Sequence, residues 1–279
     1  MSNSINTNVG ALVALSSLRS LNTELDKTSK RVQTGYKVAD ASDDAAVFAV
    51  AQGIRGNVKA YSSVQSSLSA GEGLGQVTAA ALTGISNLIG DIKAKFANLA
   101  DGSLTTAQRD VYLNDTKQLL AQVTNYVNQA TYNGKNLLNT DSTGTSVTFV
   151  ADVVGTTLTL QTTSGLASAA SADFNSVITV YSGAGAAGYS AAIVGLGTLE
   201  ALVNSISAQV AAQSRSISLQ KSFVDDLVDA TKKGLGALVD ADVASESATL
   251  QSLQVRQQLN IQALSIANQQ PNTLLSLFQ

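Results

Sequence analysis

The sequence predicts a mainly α protein: long helices whose terminal segments form a coiled coil, a helical rod between them, and a small β-hairpin region in the middle. Three observations carry this reading. Apolar residues recur at helical spacing through both ends of the chain, and a Gly/Thr/Ser-rich centre alternates as strands do. Charged residues make up only 13%, about half of the roughly 25% found in ordinary soluble domains. So thin a coat of charge leaves much of the surface neutral and points to self-association, because dispersed charge is what keeps small domains apart.

At the N-terminal end Leu18, Leu21, Leu25, Thr28 and Val32 step by three and four, the seam of a coiled coil. The segment from Ser4 to Thr34 reads as one rod of roughly 45 Å, at about 1.5 Å per residue. Gly35 is expected to cap it, since only glycine enters the left-handed region without a Cβ penalty. A second helix is expected to open at Ser42 as N-cap, with Asp43 and Asp44 in its first turn, where carboxylates suit the positive end of the helix dipole. It runs to about Leu99, with Gly53, Gly56, Gly71, Gly73 and Gly75 as weak points. Asp101-Gly102 is a turn signal. A third helix spans about Thr105 to Ala130, carries Val111, Leu119, Leu120, Val123 and Val127, and is ended by Asn133-Gly134.

In the centre Val147, Phe149, Leu158 and Leu160 alternate with other residues, and Gly155 lies between the two runs. A hairpin from about Ser146 to Thr162 follows. Phe174 to Tyr181 reads as a further strand, and Gly183 to Gly188 as a loop. Helix resumes near Ser190 and continues to about Val239, with Leu199, Leu202, Ile206, Val210, Ile217 and Val224 on one face. Asp240 to Glu246 is a break and restart. The last segment sets Leu250, Leu253, Ile261 and Leu264 on one seam and Val255, Leu259 and Ile266 on another, with only Asp242, Glu246 and Arg256 charged beyond Ala241. A helix that is apolar on more than one side must be buried on more than one side, so neighbouring copies of the chain are expected to cover it.

The residues also exclude chemistry. With no His and no Cys, neither a Ser-His-Asp triad, a Cys-His dyad nor a zinc site of the usual ligands can be built. Asp43 and Asp44 are adjacent on a helix and diverge by about 100°, so they do not converge on one substrate atom. Gly71-Glu72-Gly73-Leu74-Gly75 lacks the Lys-Ser/Thr pair and the preceding strand of a phosphate loop. Asp225, Asp226 and Asp229 lack the loop that calcium needs and read as a solvated face. No catalytic residue, cofactor or metal is expected. A net charge of -3 without a basic stripe argues against nucleic acid. Met1 to Asn8 carry no basic n-region, the first positive charge, Arg19, follows the apolar stretch from Ala11 to Leu15, and no run of 18 apolar residues exists. Neither a secretory signal nor membrane insertion is expected from these features.

Several motifs then converge. Ile5-Asn6-Thr7-Asn8, Arg31-Val32-Gln33-Thr34-Gly35 and Asp43-Asp44-Ala45-Ala46 resemble the N-terminal signature of bacterial flagellins. Asp240-Ala241-Asp242 with Ala244 and Glu246, Gln254-Val255, Ala267-Asn268-Gln269, Pro271 and Leu274-Leu275-Ser276-Leu277 resemble the C-terminal one. Thr131-Tyr132-Asn133-Gly134 with Asn136-Leu137-Leu138 is similar to the family's segment after its second long N-terminal helix. The resemblance covers about Ser4 to Leu138 and Leu196 to Gln279, and departs at Gln33, Ala39 and Val47, where Ser, Asn and Gly are common in the family.

It implies a core domain (D0) in which residues 1–41 pair with 240–279, and a tube domain (D1) of residues 42–239 that includes a hairpin and variable insert at about 140–189. Large outer domains are absent. It further implies a structural, non-enzymatic subunit of the extracellular flagellar filament, with other copies of the chain as its principal partners. The remaining implied partners are the flagellar type III export apparatus, an export chaperone, and the filament cap and hook-filament junction proteins. The expected subunit interface comprises Ile5, Asn6, Leu18, Leu21, Leu25, Val32, Leu250, Leu253, Ile261, Leu264, Asn268, Leu274 and Leu277. A hook-filament junction protein would share the N-terminal signature, and a secreted helical adhesin or pore-forming protein is the reading from a different class. Electron microscopy separates these, since only a flagellin forms long uniform filaments.

Overall fold

The computed structural model describes residues 8–139, 145–162, 166 and 186–276. Residues 4–7, at the head of the expected first helix, and the strand expected at 174–181 lie outside them; within them the first helix opens later than expected, after an extended Asn8 whose side chain caps it. Among the described residues are helices α1 (Val9–Thr34), α2 (Ala45–Leu99), α3 (Thr106–Gln129), α4 (Ala186–Val239) and α5 (Val243–Ser276). Two antiparallel strand pairs join them, β1 (Thr131–Tyr132) with β2 (Lys135–Asn136), and β3 (Ser146–Val150) with β4 (Thr157–Gln161). The mainly α class with a small hairpin is what the structure shows.

The chain divides into two compact units, Lys59–Val228 on one hand and Met1–Val58 with Asp229–Gln279 on the other. The sequence-based boundaries at 41/42 and 239/240 were placed at chain breaks, whereas the units divide inside α2 and α4. The reason is packing: the first turns of α2 and the last turns of α4 belong with the terminal helices, so a bend in the chain does not mark the edge of a core.

In the Lys59–Val228 unit, α2 buries Val64, Leu68, Thr78, Leu82, Ile85, Ile89, Ile92, Phe96 and Leu99. With Gly71 and Gly75 these residues step by four and three without interruption, the period that keeps one stripe facing a partner helix. α4 answers with Leu196, Leu199, Val203, Ile206, Val210, Ile217 and Val224, and α3 with Thr116, Leu120, Val123 and Val127. Ion pairs mark the flanks. Lys221 meets Glu72 at 3.0 Å, Lys95 meets Asp115 at 2.7 Å, and Lys93 pairs with Glu200. Exposed pairs of this kind add little beside apolar burial. Within α4 the stretch Ala192–Val239 is long and apolar enough to cross a membrane, but its apolar residues include this core stripe.

Three of the five glycines that looked like weak points, Gly71, Gly73 and Gly75, are clearances, whereas Gly53 and Gly56 have open space at the Cβ. A Cβ on Gly73 would lie 2.8 Å from the Tyr132 ring, one on Gly71 would lie 3.1 Å from the Phe149 ring, and one on Gly75 would collide with Ser214 Oγ. The strand pairs therefore lie close on α2 where its side chains vanish. Three further bonds hold the β3–β4 hairpin. Val150 N–H donates to Ser67 Oγ at 3.0 Å, Gln161 N–H to Gln213 Oε1 at 2.9 Å, and Gln220 Nε2 to Ala151 O at 2.9 Å. Phe149 and Leu160 point inward from paired strands, as alternation predicts.

Local starts and stops follow capping chemistry. Thr105 forms a capping box with Gln108 at the head of α3. Asn133-Gly134, expected to end α3, does not: the helix closes at Gln129, and both residues take positive φ, 48° and 75°, in the two-residue turn between β1 and β2. That is the pattern of a type I′ hairpin, for which Asn-Gly is the favoured pair. Asn136 then satisfies the end of α3, donating to Val127 O at 2.7 Å and accepting from Leu138 N–H at 2.7 Å. α4 begins at Ala186, inside the segment expected to be a loop: alanines offset its glycine, because alanine is the best helix former.

Ser42 is corrected as well. α2 starts at Ala45 and its cap is Asp44, whose Oδ1 accepts from Ala46 and Val47 N–H at 3.0 Å. Ser42 instead donates N–H to Asp40 Oδ1 at 2.9 Å. Asp43 accepts from Ala39 N–H at 3.0 Å and Lys30 at 3.4 Å, so these carboxylates fold the loop before the helix. Asp40 is held below the ordinary carboxylate value by its hydrogen bond from Lys30 and then by Ser42. Asp43 is held down chiefly by the Ala39 N–H.

Gly75→Ala and Gly73→Ala should destabilise the chain by about 1–3 kcal/mol through overpacking, whereas Gly90→Ala, with open space at its Cβ, should stabilise it by up to about 1 kcal/mol; denaturant melts decide the sign. The loop before α2 supplies a test in pH. A carboxyl group held below its unfolded value contributes stability that is complete above that value and disappears as pH falls through the folded one. Asp43→Asn should therefore lower the melting temperature at neutral pH, and the difference from the parent should shrink on acidification below the ordinary carboxylate value of 3.8.

Candidate functional site

The Met1–Val58/Asp229–Gln279 unit holds the residues singled out for assembly, and it is built on α1 and α5 lying antiparallel. Asn8 caps α1 by accepting from Ala11 N–H at 3.0 Å, and its Nδ2 donates to Ala267 O at 2.7 Å. Midway, Gln257 Nε2 donates to Asn22 Oδ1 at 2.7 Å, and towards the other end Arg31 meets Glu246 at 3.2 Å. Asp242 opens α5 by accepting from Ala244 N–H at 3.0 Å.

Between the two helices runs the seam read from the sequence. Leu21 is 7% exposed and Leu253 3%, with Thr28 buried beside them, while Leu18, Leu25, Val32, Leu250 and Leu264 are half-buried. These leucines and Val32 were expected at contacts between copies. Within one chain the structure sets them along the side on which α1 and α5 pair, and all but Leu21 and Leu253 keep surface that a further helix can cover. Ile261 does not join Leu250, Leu253 and Leu264: it faces outward, 52% exposed. Asn268 is exposed on α5, Leu274 falls within α5, and Ile5, Asn6 and Leu277 lie outside the described residues.

The most exposed apolar residues lie on the opposite side of each helix from the seam. Val255, Leu259 and Ile266 of α5 are 56%, 58% and 64% exposed, and Val9, Leu12 and Val13 of α1 are comparably open. The α1 trio was not picked out from the sequence, although it falls outside the seam steps that run from Leu18 to Val32, which was the available signal. Beyond Glu246, already paired with Arg31, Arg256 is the sole charge of α5. The outward side of α5, so apolar and so short of charge, can be dehydrated at small electrostatic cost.

The segments that link the helices meet at one point. Gly35 ends α1 in the left-handed conformation, φ 69°, and its N–H donates to Arg31 O at 2.8 Å. Its carbonyl accepts from Ala241 N–H at 2.8 Å, and Lys37 N–H donates to Val239 O at 2.7 Å, forming a bridge between Tyr36 and Asp240. Val38 and Val239 are buried beneath it, and Arg55 stacks 5.8 Å from the Tyr36 ring centre. Among the described residues no group of three or more His, Cys, Asp or Glu could hold a metal ion.

Comparison with known proteins agrees with this arrangement. Residues 5–143 match the bacterial flagellin N-terminal helical region, and residues 193–278 the bacterial flagellin C-terminal helical region. Flagellin FljM of Caulobacter vibrioides is 36% identical over 284 residues, covering 99% of each chain. Flagellin FljK of the same organism is 35% identical over 281 residues, and a flagellin of Brucella melitensis 34% over 283, again with 99% of each chain covered. With both helical regions matched in order around the hairpin and the relatives aligned along almost their whole length, the chain belongs to the bacterial flagellin family.

Proposed function

We propose that the chain is a structural subunit that polymerises with other copies of itself into the extracellular filament of a bacterial flagellum, serving swimming motility and catalysing no reaction. The observation that carries this is the pair of outward sides of α1 and α5: Val9, Leu12 and Val13 on one and Val255, Leu259 and Ile266 on the other stand exposed, away from the seam the two helices share. Identical copies supply an apolar surface in unlimited number. A contact between two different faces that does not close on itself generates a helical polymer.

The terminal helices complete their burial on assembly. Each Val, Leu or Ile covered there adds about 1.5–3 kcal/mol, so a handful of them offsets the cost of ordering. The seam residues act one step earlier, shaping the pair that presents these sides. Family membership supports the further partners: the flagellar type III export apparatus and an export chaperone before assembly, and the filament cap and hook-filament junction proteins at its two limits. A chain without cysteine carries no disulfide to obstruct passage of an unfolded polypeptide.

Leu259→Asp should raise the concentration needed for polymerisation by about tenfold or more, since it forfeits a buried apolar side chain and places a charge in the contact. The thermal melt of the monomer should stay within about 0.5 kcal/mol of the parent, as for other exposed positions. Sedimentation and electron microscopy read the first quantity and circular dichroism the second. Filaments forming at the parental concentration would refute the placement of the contact on this side of α5.

A further inference from the structure

The α1/α5 seam has a weakness that its own residues do not remedy. Of the expected seam positions only Leu21, Thr28 and Leu253 are fully buried, and the α5 side includes the half-buried polar residues Gln257 and Asn260. An apolar stripe that repeats every seven residues matches itself again after a slip of one repeat. Among many identical copies it also matches the corresponding helix of a neighbour, the condition for domain swapping. Something else has to determine which α1 pairs with which α5, and at what height.

We propose that the backbone bridge joining Gly35–Lys37 to Val239–Ala241 is a latch that fixes the partner and the register of the two terminal helices. Both helices leave from it. α1 ends at Gly35, one side of the bridge, and α5 starts at Val243, after the Asp242 cap that follows the other. The bonds are Lys37 N–H to Val239 O and Ala241 N–H to Gly35 O, and main-chain bonds are indifferent to side-chain periodicity. They cannot be satisfied equally well after a slip. They also join segments of one chain, so a swapped pairing would have to break them or reproduce them between chains. With Val38 and Val239 buried beneath, loss of the short Lys37 bond leaves the Val239 carbonyl only the longer one from Val38 N–H, 3.4 Å, a net loss of hydrogen bonding in a largely dry setting.

The chain contains no cysteine, so an introduced pair reports without background. A Cβ at Gly10 would lie 4.0 Å from the Cβ of Ala267, within the range that a disulfide spans and at the end of the helix pair remote from the latch. In full-length protein carrying Gly10→Cys and Ala267→Cys, oxidised under polymerising conditions, the expected product is a disulfide within one chain, migrating as monomer on a denaturing gel. Lys37→Pro removes the N–H, and it leaves Tyr36 in the extended conformation that a following proline favours. It should cut the intrachain product by about tenfold in favour of interchain ladders, while Lys37→Ala, which keeps the N–H, should not. An undiminished intrachain yield in Lys37→Pro would overturn the proposal.

A second variant guards against a proline that merely unfolds the unit. One serine inserted between Ala241 and Asp242 leaves the bridge intact and offsets α5 by one residue from it. If the latch sets the register, the thiol of Gly10→Cys now closes with that of Ile266→Cys and no longer with that of Ala267→Cys. Retention of the Ala267→Cys bond would mean that the seam loops the insertion out and governs the register itself. Loss of both bonds would equally refute the latch. The readout is a covalent bond, so it stands apart from whether the protein forms filaments.

Discussion

Everything else in the terminal unit depends on bringing together residues at opposite ends of the sequence. Asn8 and Ala267 are 259 positions apart yet share a hydrogen bond of 2.7 Å. Closing a loop of that size costs conformational entropy that no single contact returns. The cost is tolerable because α2 and α4 are long rods whose mutual stripe, from Val64 to Leu99 on one and Leu196 to Val224 on the other, shortens the effective loop. The Lys59–Val228 unit has fully buried side chains in abundance, whereas the helix pair of the other unit has few. The ordering of stability, robust in the former and marginal in the latter, is what a self-assembling subunit needs if its contacts are to complete themselves on its neighbours.

Much of this was legible in the sequence. Steps of three and four from Leu18 to Val32 marked a real seam, Gly35 stands in the left-handed conformation, and the alternation of Val147, Phe149, Leu158 and Leu160 marked strands that pair in register. Periodicity could not say what faces the stripe. Leu21 and Leu253 have the same apolar signature whether they meet a helix of the same chain or of another; within the chain they are buried where α1 and α5 pair. For Ile261 the error was geometric: its spacing from Leu264 suits a shared stripe, but the helix has turned it outward.

The remaining misses share a cause, which is that they depend on backbone groups or on space. Ser42 is a good capping residue, but Asp44 stands nearer the helix and Asp40 claims the serine's N–H and hydroxyl. Gly73 and Gly75 read as interruptions in a helix, because propensity counts what a residue lacks and not what its absence admits, here the Tyr132 ring and Ser214. The bridge between Tyr36 and Asp240 left no trace in the sequence, since main-chain hydrogen bonds are available to nearly any residue.

The antiparallel course of α1 and α5 also determines how the pair responds to force. Asn8–Ala267, Asn22–Gln257 and Arg31–Glu246 lie one after another along the seam. A load directed along the helix axes strains all three together and is resisted in shear. A load that draws the two chain ends apart acts at the Asn8–Ala267 end first and parts the contacts in turn, peeling towards Gly35. The same bonds thus make a strut that is stiff lengthwise and easily opened from its tip, a mechanical anisotropy that arises from chain direction alone and requires no change in composition.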